Sequence, residues 1–368
     1  MATPSEHKEK KKKEWQQRKE FKDWRQPENF GTGHSDRLEP LRPLDLSKVE
    51  SVNDMVKGMT HTAFGARTVG EAADVLEEMV KDEQCFKVLT LAGAMTVAKM
   101  GLVICDMMDN GMVDAIISTG ALMAHGFIES AGKAHFKYRP DMKDEELYEK
   151  GYDRVYDTLE LERNLDEAEE VLDEIFWAWD TKEEMCSYKL NWKLGEYLHK
   201  NFAGRGVLKS AYEKKVPVYI PAFTDSEFGL DFGIHRRKRI MRDKPLVTFN
   251  PFLDLEHYTD NIARSERSGI FTIGGGVPRN WGQQVGPYLD IINTRIGAGG
   301  AFKRFRYGIR ICPEPVHWGG LSGSTYSEAV SWGKFVPRSQ GGKQVEVPLD
   351  ATVAWPLIVK AVLERMGK

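Results

Sequence analysis

The sequence of 368 residues lacks the features that mark several large classes of protein. It has no apolar run of about 18 residues, so we expect no membrane-spanning helix. No secretory signal peptide precedes its first charged residues. A formal net charge of −3 gives no overall reason to bind nucleic acid or a membrane surface. These absences predict a cytoplasmic protein with no nucleic-acid partner and no membrane partner.

Cysteine is also scarce, with four residues in the whole chain. None belongs to a CxxC motif or to a Cys/His spacing typical of a metal centre. Cys105 lies in the apolar stretch GLVICDMM, where a buried free thiol is the simplest interpretation. We therefore expect reduced cysteines, a reducing compartment and no metal.

The first 40 residues differ in composition from the rest. Residues 8–26 (KEKKKKEWQQRKEFKDWRQ) are basic and helix-prone but have no full apolar stripe, and residues 27–40 have the composition of a linker. One interpretation is a hydrated tail. The other is an arm whose Trp15, Phe21 and Trp24 dock on a neighbouring surface. We divide the chain into a basic N-terminal arm and linker over residues 1–40 and a single domain over residues 41–368.

Within that domain, helical and strand patterns alternate. Residues 68–71 (TVGE) form a capping-box pattern that predicts the start of an amphipathic helix. A buried strand over residues 86–94 follows, then a helix over residues 97–111 and a second strand over residues 112–119. Residues 142–200 are acidic and helical in pattern.

Further apolar strands recur later, in VPVYIPAF (216–223), GIFTIGGG (269–276) and, more weakly, YGIRI (307–311). Continuous apolar strands joined by helices are typical of a parallel sheet covered on both faces. The sequence therefore predicts an α/β fold with a doubly wound, mostly parallel, Rossmann-like sheet.

Three strands end in small residues: LAGA at 91–94, STGA at 118–121 and IGGGV at 273–277. At the carboxyl edge of a parallel sheet, such residues let phosphates approach backbone N–H groups. Close packing of helix on sheet requires small residues equally well. Asp225 and Asp350, also near strand ends, suit ribose hydroxyls or helix caps. A dinucleotide site and purely structural roles both stay open on this evidence.

Lys334 stands in SEAVSWGKF (327–335), where its neighbours are small, apolar or aromatic and Glu328 is the only carboxylate. Partial desolvation would lower the pKa of this lysine and supply a neutral amine for imine chemistry. A surface lysine whose stem lies along apolar residues is the alternative.

Taken together, four segments resemble deoxyhypusine synthases: EAVSWGK, the IGGGV some 60 residues before it, PAFTD before that and LDAT after it. The resemblance runs from about residue 41 to the C-terminus. It implies a single NAD-binding catalytic domain that oxidises spermidine to an imine with NAD. The active lysine then takes the 4-aminobutyl group, 1,3-diaminopropane leaves, and NADH reduces the imine formed with an acceptor amine. That acceptor is a lysine of a translation initiation factor, or putrescine in the related homospermidine synthases.

The resemblance also implies roles for individual residues. Lys334 would be the covalent nucleophile, Trp332 would lie along the polyamine by cation–π attraction, and Glu328 would hold one amine. The other implied substrate-binding residues are Ser331, Asn280, Asp231 and His125. The implied NAD-binding residues are Thr96, Thr119, Gly120, Asp225, Gly275, Asp350 and Ala351. The implied assembly is a homotetramer with active sites between subunits, where NAD and the lysine come from different chains.

The resemblance fails around the amine. An acidic pair of the family is Ala-His here at 124–125, its histidine beyond the glycines is Asn280, and an aspartate is Leu321. A further acidic position falls on Leu230, although the adjacent Asp231 could replace it. A buried ammonium without a carboxylate partner is costly. The substitutions therefore indicate retained chemistry with a changed amine, a pattern that resembles the prokaryotic deoxyhypusine synthase-like proteins.

From these residues we expect aminoalkyl transfer from a polyamine to a small amine, giving a homospermidine-like product. One alternative is a protein lysine acceptor on an initiation factor. The other is a non-catalytic homologue that binds nucleotide or polyamine, against which the retained lysine, tryptophan and glycines argue. His317 is also new here and could carry protons, although a lone histidine is more often structural.

Overall fold

The computed structural model describes Lys8 and residues 29–298, 300 and 302–368. The chain divides into two units, Met1–Arg42 and Pro43–Lys368. The aromatic residues of the predicted arm, Trp15, Phe21 and Trp24, lie outside the described residues. The interpretation of residues 1–40 and the single catalytic domain over 41–368 therefore stay predictions. None of the helices in the described part of the chain has the length and apolarity needed to cross a membrane.

Two sheets are present in the described residues. The larger has six parallel strands in the order β6-β2-β1-β7-β8-β9, and the smaller has three antiparallel strands in the order β3-β5-β4. The strands are β1 (Cys85–Leu91), β2 (Ala115–Ile117), β3 (Phe136–Lys137), β4 (Tyr152–Val155), β5 (Thr158–Leu161), β6 (Val218–Tyr219), β7 (Arg267–Ile273), β8 (Phe305–Ile311) and β9 (Lys343–Val347).

Helices connect the strands and cover both faces of the large sheet. The described α-helices are α1 (Val52–Thr60), α2 (Phe64–Lys81), α3 (Ala94–Val97), α4 (Gly101–Asp109), α5 (Ala121–Ser130), α6 (Asp144–Glu149), α7 (Glu162–Ala178), α8 (Ser187–Asn201), α9 (Val207–Lys214), α10 (Glu227–Met241), α11 (Phe252–Arg264), α12 (Gly276–Gln283), α13 (Val285–Ile296), α14 (Tyr326–Ser331) and α15 (Ala351–Arg365).

The inner strands of the large sheet are apolar on both faces because their side chains point alternately into two cores. Along β1, Leu89 belongs to one buried cluster and Val88 to the other. The first cluster includes Trp355 of α15, and the second includes Tyr258 of α11, both fully buried. Strands buried on both faces explain the continuous apolar runs in the sequence. The predicted doubly wound parallel sheet is confirmed.

The strand order contains one reversal that matters for the site. From β1 the chain proceeds through β2 to β6 in one direction, and then crosses to β7, β8 and β9 on the other side of β1. Ligands of open α/β sheets bind in the crevice at such a switch point, beyond the carboxyl ends of the strands. In this protein the switch point lies between β1 and β7.

Two predicted helix boundaries are wrong. The helix with the TVGE pattern begins at Phe64, and Thr68 lies inside it, where its hydroxyl donates to the Gly65 carbonyl at 2.9 Å. The predicted helix over residues 97–111 is instead divided into α3 and α4, because Lys99 adopts a left-handed φ of 62° that no α-helix continues through.

Other departures arise where strands are short or polar. The second strand covers only Ala115–Ile117 rather than residues 112–119. The segment 142–200, predicted to be helical, also contains β4 and β5. Residues 343–347 (KQVEV) were not predicted as a strand, since polar side chains alternate with apolar ones there.

Candidate active site

Local structure fixes the backbone of Lys334. The Thr325 hydroxyl caps α14 by accepting from the Glu328 N–H at 3.0 Å. The helix ends at a glycine turn, where Gly333 has a φ of 68°. The Lys334 N–H then donates to Ala329 O at 3.1 Å, and the Lys334 carbonyl accepts from the N–H of Phe305 in β8 at 3.0 Å. The sheet therefore anchors this lysine at its backbone.

The side chain of Lys334 is buried rather than spread on the surface, since the residue is only 8% exposed. Its Nζ donates to Oδ1 of Asn280 at 2.9 Å and lies 5.9 Å from the centre of the Trp332 ring. Burial lowers the pKa of Lys334, and the nearby Arg279 guanidinium lowers it further against the opposing charge of Glu328. A lysine in this setting supplies a neutral amine more readily than a solvated one.

Arg279 is the positive charge beside this lysine, and it was not predicted from the sequence. It is 1% exposed, and its Nη1 donates to Leu321 O and Ser324 Oγ, both at 2.8 Å. Nη1 of Arg310 donates to Ser322 O at 2.8 Å. The two arginines thus hold the loop that precedes α14, and an isolated arginine in a sequence carries no signal of such a role.

We define the lysine group as Lys334 together with Asn280, Arg279, Leu321, Glu328, Ser331 and Trp332. Glu328 is exposed on α14, and the Trp332 side chain is largely open to solvent at 65%. Ser331 donates its hydroxyl to the Glu328 carbonyl at 2.6 Å, which occupies it within the helix. Leu321, in the position of a family aspartate, is 51% exposed nearby in the same loop that Arg279 holds. This side of the lysine is therefore aromatic and apolar, with one carboxylate.

The predicted cofactor residues all follow strands of the large sheet, at its carboxyl edge. Thr96, Thr119, Gly120 and Gly275 come after the adjacent strands β1, β2 and β7, whereas Asp350 and Ala351 come after the edge strand β9. Thr119 Oγ1 accepts from the Gly93 N–H at 3.1 Å, which joins the loops after β2 and β1. Thr96 is fully buried, and its hydroxyl donates to Gly93 O at 2.9 Å. Gly120 directly precedes α5 and packs against the turn before α10. A Cβ added to Gly120 would lie 1.8 Å from the Cβ of Ser226.

The loops after β1 and β7 approach each other at the switch point. Gly275 has a φ of 73°, and a Cβ added to it would lie 3.0 Å from the Ala92 N–H nitrogen. Gly274 also has a positive φ, 59°, and faces open space. The positive φ and the close approach of Ala92 favour glycine at position 275, so this turn stays free of side chains, as the phosphate-binding turns of dinucleotide sites do.

The two aspartates of the predicted cofactor set differ in their surroundings. Asp350 is the N-cap of α15, where Oδ1 accepts from the Thr352 N–H at 2.9 Å, and Ala351 is the first residue of that helix. Asp225 is exposed and does not cap α10, since Ser226 does so by accepting from the Gly229 N–H at 3.1 Å. Of these two aspartates, Asp225 is therefore the one whose carboxylate does not cap a helix.

The last two predicted substrate residues make no contact with the lysine group among the described residues of this chain. Asp231 lies on α10. His125, buried on α5, places Nδ1 3.0 Å from Oε2 of Glu160. Burial disfavours the Glu160 carboxylate, but contacts from His125, His135 and Asn164 outweigh it and bring its pKa to about 2. Glu160 and His135 come from other segments of the chain, so no local pattern indicated this cluster.

The surroundings of Asp231 predict that a substitution there changes the stability of the protein by an amount that depends on pH. Burial, followed by repulsion from Glu169 and Glu227, raises its pKa from 3.8 to about 6. Ionising Asp231 therefore costs folding free energy, and this cost grows as the pH rises from about 4 to about 6 and stays constant above. We expect Asp231→Asn to remove it and stabilise the protein by on the order of 1–2 kcal/mol near neutral pH, after allowance for solvent screening.

Urea unfolding at about pH 4.5 and about pH 8 measures this effect, which should be much smaller at the lower pH. The control is Glu170→Gln, an exposed position on α7. Equal stability of the Asp231→Asn variant and the native protein at the higher pH would contradict the assignment.

Most of the chain is similar to proteins of one known family. The family model described as deoxyhypusine synthase matches residues 54–362. A Methanosarcina acetivorans protein named "Probable deoxyhypusine synthase 2" is 33% identical over 328 residues, which cover 89% of this chain and 90% of that protein. A "Deoxyhypusine synthase-like protein" of Chlorobaculum parvum is 33% identical over 87% of this chain and 88% of its own length.

A solved structure supports the fold. The crystal structure of a candidate deoxyhypusine synthase from Entamoeba histolytica covers 88% of this chain and 97% of its own, with a TM-score of 0.55 and 15% identity. At that identity the likeness shows the fold alone. The sequence relatives show more, because both the family model and the archaeal and bacterial proteins span nearly the whole domain. The chain belongs to the deoxyhypusine synthase family and is a transferase of that family.

Proposed function

We propose that this protein uses NAD to move an aminobutyl-type group from a polyamine to a small acceptor amine, through an imine on Lys334. The observation that carries the proposal is the burial of Lys334, with its Nζ held by Asn280 and its pKa lowered. A lysine kept for solubility would extend into water instead. The named relatives support the class of reaction, since they are described as deoxyhypusine synthases or similar proteins.

The residues at the carboxyl edge fit a dinucleotide. Glycines occupy the switch point where a Cβ at Gly275 would meet the backbone at Ala92, and Asp225 offers a carboxylate to ribose hydroxyls. Bound NAD would supply the hydride acceptor for oxidation of the donor amine. Thr119 fixes the glycine loop through Gly93, and Thr96 fixes the same loop from beneath.

Lys334 performs the covalent step. Its neutral Nζ attacks the carbon of the oxidised donor's imine, the bond from that carbon to the donor nitrogen breaks, and the departing amine leaves with a proton. Asn280 orients Nζ through one hydrogen bond, and Trp332 offers its face to the cationic chain of the substrate. Attack of the acceptor amine on the enzyme imine then breaks the bond from its carbon to Nζ and frees Lys334 as an amine. Bound NADH would supply the hydride that the product imine needs for reduction.

Three features favour a donor other than spermidine. Leu321 presents an apolar side chain where a carboxylate would hold an ammonium, and Asn280 is uncharged. His125 is bound to Glu160 and brings no anion toward a polyamine. The anion left beside the lysine is Glu328, so a trication would lack partners.

The homotetramer with active sites between subunits, the cytoplasmic location and the absence of nucleic-acid and membrane partners stay proposals. One feature supports the shared site. Trp332, which is 65% exposed beside Lys334, and Leu321, which is 51% exposed in the loop bonded to Arg279, form the kind of apolar rim that a neighbouring subunit covers.

An amine panel tests the proposal. With NAD present, we expect kcat/KM for spermidine with a translation-factor acceptor to lie below that for a less charged or differently spaced amine, such as putrescine or agmatine. Each missing carboxylate–ammonium pair should weaken binding by roughly tenfold. Product identification by mass spectrometry gives donor and acceptor together.

Leu321→Asp is the matched gain-of-function variant, with Leu321→Asn as its uncharged control. The aspartate should raise kcat/KM for spermidine by about tenfold, and the asparagine should not. Efficient spermidine-dependent modification of the translation factor by the native protein would instead support the protein-acceptor alternative. No turnover of any amine, with NAD still bound, would support a non-catalytic homologue.

A further inference from the structure

Three side chains from separate elements meet in a buried cluster apart from the lysine group. His125 belongs to α5, His135 directly precedes β3, and Glu160 belongs to β5. Their side chains are 9%, 1% and 1% exposed. One nitrogen of each histidine and one carboxylate oxygen all lie within 4.8 Å of one another. Imidazole and carboxylate groups are thus collected in a dry site that the proposed transfer reaction does not use.

The atoms in the cluster converge on one point. Oε2 of Glu160 is 3.0 Å from Nδ1 of His125 and is also in contact with Nε2 of His135. That second contact lacks the alignment of a hydrogen bond, and the His135 Nε2 has no hydrogen-bond partner among the described residues. The other carboxylate oxygen accepts from Asn164 Nδ2 and from the Leu161 N–H, both at 3.2 Å. Glu160 is therefore held in place with one oxygen directed at the two imidazoles.

We propose that His125, His135 and Glu160 bind a divalent transition-metal ion, with Zn²⁺ as the best match. Two histidines and one glutamate form a known three-ligand set for Zn²⁺ that leaves a fourth position for water or another ligand. Neutral imidazole nitrogens favour such ions over Mg²⁺ and Ca²⁺, which prefer oxygen. Asn164 orients the carboxylate, as outer hydrogen bonds do in metal sites. No cysteine or histidine spacing along the chain indicated this site.

Lys99 controls occupancy of this site. Its Nζ lies 2.7 Å from Nδ1 of His135 and 3.7 Å from Oε1 of Glu129. While the ammonium donates to Nδ1, the ring proton of a neutral His135 resides on Nε2, which then cannot ligate. Coordination through Nε2 places the proton on Nδ1 and requires Lys99 to turn toward Glu129. The lysine therefore competes with the metal, and its removal should tighten binding.

Titration of the metal-free full-length protein with ZnCl₂ tests the site directly, without reference to transfer activity. Isothermal calorimetry and elemental analysis should give one Zn²⁺ per chain. Glu160→Gln and His135→Gln should each weaken binding by at least about tenfold, whereas Lys99→Gln should tighten it by about tenfold, because the glutamine oxygen accepts from Nδ1–H. The control is His199→Gln, which alters an exposed histidine–carboxylate pair with a 2.9 Å contact to Glu213.

Two measurements keep the test decisive if a ligand variant fails to fold. Co²⁺ added to the native protein should give the visible absorption of a site with nitrogen and oxygen ligands, and Zn²⁺ should abolish it. Lys99→Gln retains all three ligands and should fold normally. The proposal is overturned if the native protein and the Lys99→Gln variant bind no stoichiometric Zn²⁺, or if His199→Gln alone weakens binding.

Discussion

Replacing Lys334 with alanine should reduce aminoalkyl transfer by at least about a thousandfold, because the covalent nucleophile is removed while its surroundings persist. NAD binding should be unchanged, since the side chain bonds to Asn280 and not to the glycine loops. Lys334→Arg should fail equally, because a guanidinium stays protonated and cannot form the imine. The measurement is single-turnover transfer, with NAD affinity determined in parallel.

Borohydride added during turnover should trap an aminoalkyl group on Lys334 of the native protein, at a mass that peptide mapping locates. Lys360→Ala is the control, since this lysine is exposed on α15 and pairs with Glu364 at 3.4 Å. Full transfer by the Lys334→Ala variant, or an adduct on another lysine, would refute the covalent role.

Gly120→Ala should cause the other large effect, through packing rather than chemistry. The added Cβ would lie 1.8 Å from the Cβ and 2.5 Å from the Oγ of Ser226, so the turn that carries Asp225 must move. Overpacking of this kind costs about 1–3 kcal/mol of folding free energy. NAD affinity should also fall by at least about tenfold if that turn holds the ribose. Urea unfolding and NAD titration measure the two effects separately.

A second substitution should restore both properties. Ser226→Gly removes the opposing side chain and leaves the Ser226 Cα position 3.2 Å from the new methyl group. Glycine is tolerated as an N-cap at a cost of a few tenths of a kcal/mol, so the double variant should recover most of the lost stability. Gly233→Ala is the matched control, since its Cβ would meet nothing within 4 Å. If the Gly120→Ala variant is less stable but keeps full NAD affinity, the turn that carries Asp225 does not bind NAD.

The inner strands of the large sheet were predictable from sequence because they are apolar on both faces, a signal that needs no knowledge of tertiary contacts. The apolar neighbours of Lys334 in its own segment indicated its burial, but its contacts with Asn280 and Arg279 come from α12 and were not evident from that segment. Arg279 and the His135–Glu160 contact were not predictable, since their roles depend on partners tens of residues away. The start of α2 at Phe64 was not predicted because no side chain caps the helix there. The capping pattern that begins at Thr68 indicated a later start instead.

The attachment of Lys334 to β8 separates the mobility of the nucleophile from that of the surface around it. Its carbonyl is bonded to the Phe305 N–H, and the Val336 N–H is bonded to the Phe305 carbonyl at 2.9 Å, so the pivot of the side chain belongs to the cooperative unit of the sheet. Rotation of an exposed side chain such as Trp332, which is 65% exposed, is faster than unfolding of that unit. The aromatic side chain beside the lysine can therefore adjust to substrates of different length while the pivot stays fixed.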